Sequence, residues 1–192
     1  MNKRIFYIEV DDAAGMDAIS LVKYPAVERN FLCFEDEKAP VKMAFNADKQ
    51  IITGVVALAD TPIYRYTEGY GEYFVIFSKE TIEKMVVKYS KDGLFNSVNL
   101  QHNDEKFVDG VYLFESYLVN KDRGILPTEF ADIPEGSWIC SFKVENDEVW
   151  DEIKEGKTLK GFSLQGYFDL VEGKLRDNEL DGYGEEEEEL ED

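Results

Sequence analysis

Short apolar segments, broken at close intervals by glycine, proline or charged clusters, recur along this chain and leave little room for anything but a strand-rich fold. Residues 1–12 alternate in the manner of a half-buried strand. Gln50–Ala59 is dense in β-branched residues and reads as a buried strand, with Gly54 marking a bulge or bend. Phe31–Glu35, Val41–Phe45, Glu72–Phe77, residues 107–120, Ser137–Val144 and residues 158–171 read as further strands, and residues 63–72 as a loop. Pro25 pushes the chain before it into an extended or turn conformation. Only two segments carry a helical pattern. Ser78 is placed to cap a helix whose Ile82, Met85, Val86 and Tyr89 share one face, and Asp147–Glu155 is a short helix closed by Gly156. Many strands with two short helices between them predict an α+β fold built on a mainly antiparallel, barrel-like sheet.

The 192 residues fit one domain with an appended arm, and 44% hydrophobic residues suffice for a core. No apolar run approaches the roughly 20 residues of a membrane helix. The basic start of the chain meets Glu9, Asp11 and Asp12 at once, which fits a first strand and not a signal peptide. Cys33 and Cys140 lie far apart in apolar contexts and read as reduced core residues of an intracellular protein. The net charge is −20, and half of that excess sits in Asp177–Asp192, which holds ten acids and no Lys or Arg. An acidic body argues against nucleic acid as a partner. The acidic tail, residues 173–192, is low in complexity and predicted to be disordered, either as a solubilising arm or as a tether or removable peptide for a basic partner.

His102 is the only histidine, so the chain has one imidazole base to offer. Ser163 lies in Gly161-Phe162-Ser163-Leu164-Gln165-Gly166, where strand alternation puts it on a polar face with Gln165, Tyr167 and Asp169. A serine needs a base to act as a nucleophile near neutral pH, and imidazole is the usual one. The spacing is not the Gly-x-Ser-x-Gly elbow, because the second glycine comes one residue late. Alone, the pair also fits an ordinary strand serine and a surface-loop histidine. Glu115 falls on one strand face with Val111, Leu113, Tyr117 and Val119, and a carboxylate in an apolar row wants a partner. It is the first candidate for the group that orients the imidazole, ahead of Asp104, Asp109 and Asp169. A hairpin from 100–103 into 107–120 would bring it near His102. Solvent exposure is the competing reading for Glu115. Two cysteines and one histidine lack metal-site spacing, and no cofactor motif is present, so neither a metal nor a cofactor is expected.

Taken in order, several segments resemble the phage prohead maturation serine proteases of the XkdF-like, assemblin-related class. They are Ile19–Val27 with Phe31, Ile52–Pro62, Asn99–Asn103, Val111–Tyr117, Gly136–Trp138, Val149–Gly156 and Leu159–Gly166. The resemblance covers about residues 17–171 and implies a protease domain over 1–172 with an assemblin-like β-barrel and surrounding helices. It implies Ser163 as nucleophile and His102 as base. The herpesvirus branch uses a second histidine, which this chain lacks, and that turns the search for a third member toward Glu115. It further implies an endopeptidase that cuts scaffold and major capsid protein, and itself, inside the assembling procapsid in the host cytoplasm, with self-association possible. A catalytically inactive scaffolding protein of the same fold is the alternative. Backbone N–H groups or Arg123 are open candidates for oxyanion donors.

Overall fold

A computed structural model describes residues 4–11, 14–23, 44–46, 49–67, 69–103, 107–156 and 159–173. The strand expected at Phe31–Glu35, Cys33 within it, Asp104 and the acidic tail beyond Gly173 lie outside the described residues.

The described chain is α+β, with eleven strands and two α-helices. The strands are β1 (Arg4–Glu9), β2 (Gly15–Val22), β3 (Ala44–Asn46), β4 (Ile51–Ala57), β5 (Ile63–Thr67) and β6 (Gly71–Ile76), followed by β7 (Val98–Leu100), β8 (Val111–Leu118), β9 (Trp138–Val144), β10 (Gly161–Tyr167) and β11 (Asp169–Gly173). Helix α1 spans Lys79–Lys91 and α2 spans Asp147–Glu155. Both start as the sequence predicts. The Ser78 side chain accepts from the Thr81 amide and the Asn146 side chain from the Val149 amide, caps that typically contribute about 1 kcal/mol each. Gly156 ends α2 at φ 62°, a left-handed value that glycine adopts without strain.

The expected single barrel is replaced by three sheets with open edges. Their orders are β11-β1-β6-β5, β10-β2-β7 and β3-β4-β9-β8. Most ladders are antiparallel, as predicted, but β1 pairs β6 and β2 pairs β7 in parallel. The segment 158–171 is two strands in place of one. The chain leaves the second sheet after Tyr167 and enters the first at Asp169, so the strand is divided between two layers. Residues 63–72, expected as a loop, form the β5–β6 hairpin, turned by Gly69 and Gly71 at positive φ.

One element escaped the sequence pattern altogether. β2 runs through the middle of the second sheet, with Ala18, Ile19, Ser20 and Leu21 fully buried. Burial on both faces removes the alternation by which a strand is recognised. The main core joins the three sheets through Ile8 and Val75 of the first, Ile19, Leu21 and Phe162 of the second and Ile52 and Phe142 of the third, and α1 closes it with Ile82, Met85 and Tyr89. Cys140 sits fully buried in β9, as its apolar context predicts, and burial pushes its thiol pKa well above the ordinary value.

Candidate active site

The second sheet carries a row of polar side chains across its three strands. Ser163 on β10 lies opposite Ser20 on β2, and Ser20 lies opposite Asn99 on β7. Residues in register on adjacent strands project to the same face, so the three share one side of the sheet. All three are buried, Ser20 and Asn99 completely and Ser163 to 6% exposure. Buried polar groups require partners, and Ser20 and Asn99 have them. Ser20 Oγ lies 2.6 Å from Asn99 Oδ1 and 3.1 Å from Gln165 Oε1, and Asn99 Nδ2 donates to Gln165 Oε1 at 2.7 Å.

His102 enters this row from the end of β7. Leu100–Asn103 is a tight turn, with the Asn103 amide donating to the Leu100 carbonyl. Both central residues, Gln101 at φ 53° and His102 at φ 58°, are left-handed, the signature of a type I′ turn. A left-handed conformation costs a non-glycine residue energy, so something must hold it. The Gln101 amide donates to the Leu21 carbonyl, and His102 Nδ1 lies 3.1 Å from Ser20 Oγ. The ring is otherwise solvent-exposed, and its Nε2 makes no hydrogen bond to a described residue.

Ser163 differs from its neighbours in the row. Its hydroxyl has no hydrogen-bond partner among the described residues. It also lines a cavity of about 380 Å³ whose walls include Ile8, Ile63, Val75, Phe77 and Phe168. Arg65 is part of the same wall, and burial lowers its guanidinium pKa. Of the two glycines near Ser163, Gly166 has a packing role. A Cβ there would lie 2.1 Å from the Gly15 carbonyl oxygen, so the glycine serves the close approach of β2 at a bulge between Gln165 and Gly166.

Glu115 is on a different sheet. A register shift between Leu113 and Glu115 breaks the alternation of β8, so Leu113 stays buried while Phe114, Glu115 and Ser116 are exposed. The Glu115 carboxylate accepts from Ser141 Oγ at 2.6 Å, and Ser141 Oγ is 2.8 Å from Thr53 Oγ1. Among the described residues, then, Ser20 meets Nδ1 of His102, and Glu115 belongs to another network. The 107–120 segment does return beside β7, through the Asn99–Phe107 bridge, but joins the third sheet before reaching Glu115. Asp109 offers its carbonyl to Asn146, Asp169 is exposed on β11 opposite Glu9, and Arg123 sits in the exposed Asn120–Ile125 turn. Sequence reasoning missed Ser20 because it missed β2. The nearest signal was the Ile19–Val27 segment, which contains it.

No group of three or more His, Cys, Asp or Glu side chains among the described residues is placed to hold a metal ion. No described helix is long and apolar enough to cross a membrane.

A serine that lines a cavity and whose hydroxyl has no partner among the described residues, with the chain's only imidazole tied to the neighbouring strand, is compatible with a nucleophilic-serine hydrolase. Comparison with known proteins points the same way. The family described as "Putative phage serine protease XkdF" matches residues 40–172, and the chain belongs to it. The matched stretch contains His102 and Ser163 but not Ser20. No curated protein and no solved structure gave a significant match.

Proposed function

We propose that the protein is a serine endopeptidase of phage procapsid maturation, with Ser163 as nucleophile and His102 as general base. The observation that carries this reading is the placement of Ser163: lining the cavity, with a hydroxyl that has no partner among the described residues, directly opposite the serine that contacts His102. Ser163 Oγ attacks a peptide carbonyl carbon while its proton passes to an imidazole nitrogen. The tetrahedral intermediate collapses by breaking the C–N bond, and the imidazolium returns the proton to the leaving amine. Water, deprotonated by the same base, then attacks the acyl-enzyme and frees Ser163. The cavity offers apolar walls for a side chain of the bound peptide. The substrates in this reading are the scaffold and major capsid proteins and the protease's own termini, cut inside the assembling procapsid in the host cytoplasm.

Intact-mass analysis after co-expression with the capsid protein tests it. Wild type is expected to yield shortened capsid protein and trimmed protease, and Ser163→Ala to leave both at full length. Processing that persists in Ser163→Ala overturns the assignment. Intact copies of wild type retained in large number per particle would replace it with a scaffolding role.

A further inference from the structure

The hydrogen bonds around Ser20 reach beyond that reading. We propose that Ser20 is a positioning residue: its oxygen accepts the proton on Nδ1 of His102 and thereby leaves Nε2 as the unprotonated, basic nitrogen. The proposal rests on His102 being the base and names the group that fixes its tautomer.

A hydroxyl has one proton to give and two lone pairs with which to accept. Three groups surround Ser20 Oγ: Asn99 Oδ1 at 2.6 Å, Gln165 Oε1 at 3.1 Å and His102 Nδ1 at 3.1 Å. The first two are amide oxygens and can only accept. The 2.6 Å contact has the length of an O–H···O bond and is short for N–H···O, which fits Ser20 donating to the Asn99 oxygen. The far side of Asn99 agrees, since its Nδ2 donates to the Gln165 oxygen. With the Ser20 proton committed to Asn99, the contact with His102 exists as a hydrogen bond only if Nδ1 donates. The proton then sits on Nδ1 and Nε2 keeps its lone pair. A third group in a Ser-His site does this work by accepting from Nδ1–H and holding the imidazole in the right tautomer. A neutral hydroxyl orients the ring without adding the charge stabilisation of a carboxylate.

Ser20 is not itself suited to be the nucleophile. It is fully buried, whereas Ser163 lines the cavity. Turning both the Asn99 and Gln165 amides over would reverse the network. Asn99 would then donate to Ser20, Ser20 to Nδ1, and the proton would sit on Nε2.

The single histidine makes the choice directly measurable. Full-length protein labelled with ¹⁵N-histidine gives one pair of ring nitrogens, and long-range ¹H–¹⁵N correlation above the imidazole titration identifies which is protonated. The expected result is Nδ1–H in wild type, and an Nε2–H wild type overturns the proposal without need of any variant. Ser20→Ala is expected to lose the Nδ1–H preference and to slow labelling of Ser163 by a fluorophosphonate probe about ten- to a hundredfold. Ser20→Thr keeps the oxygen and is expected to restore both. An unchanged tautomer and labelling rate in folded Ser20→Ala also overturns it. An Nδ1–H wild type whose Ser163 takes no probe would keep the hydrogen-bond assignment and remove the protease reading instead.

Discussion

Two polar rows cross the sheets of this protein, and they end differently. In the third sheet Thr53, Ser141 and Glu115 form a chain of hydroxyls closed by a carboxylate, with Ser141 bonded on both sides. In the second sheet Ser163, Ser20 and Asn99 form a similar row tied to Gln165 and His102, but the hydroxyl of Ser163, a residue that lines a cavity, has no partner among the described residues. A row that spends every donor on its neighbours holds strands together. A row that leaves one donor without a partner among the described residues is where the proposed nucleophile lies. The difference between fold and site here lies in the accounting of hydrogen bonds, since the residue types are nearly the same.

That contrast predicts opposite responses to mutation. His102→Ala is expected to slow fluorophosphonate labelling on the order of a thousandfold while lowering the melting temperature only slightly, through the lost contact with Ser20, since the ring is otherwise exposed. Glu115→Gln is expected to do the reverse. Labelling should stay within about threefold of wild type while the melting midpoint falls by about 1–3 °C, through a weakened bond from Ser141. Labelling kinetics beside thermal melts of both variants check the pair. A Glu115→Gln protein that melts normally but labels slowly would move Glu115 into the site.

The smallest effect is expected with pH, and it belongs to the structural side of the comparison. Burial raises the pKa of Cys140 and of Tyr89, and pushes Tyr117 up to about 12. The folded chain holds these protons more tightly than the unfolded chain. Their contribution is therefore full below the unfolded pKa values, roughly 8.5 for the thiol and 10 for the phenols, and is lost as pH rises above them toward the folded values. Melting temperature should be flat through neutral pH with respect to these groups and fall above about pH 9. Substituting Cys140 by Ala should remove the earliest part of that fall.

The sequence made the local parts of this fold legible and left the long-range ones dark. Ser78 and Gly156 announced their helix ends because a cap depends on neighbours three or four residues away. β4 and β9 announced themselves by β-branched and alternating runs. β2 did not, because a strand covered on both faces has no polar side to alternate with. Its loss hid Ser20, and with it the contact that Nδ1 of His102 makes. Ser163 and His102 stood out for local reasons, a glycine-flanked polar face and a single imidazole. Glu115 was placed on an apolar face by an alternation that a one-residue register shift in β8 breaks, and no local signal marks that shift.

Peptide mapping of the native full-length protein after reaction with a fluorophosphonate tests the central claim most directly. The account predicts a single adduct, on Ser163, absent after unfolding in urea and lost in His102→Ala. An adduct on Ser20 would exchange the roles of the two serines, and an adduct on Ser163 that survives the loss of His102 would contradict the assignment of the base.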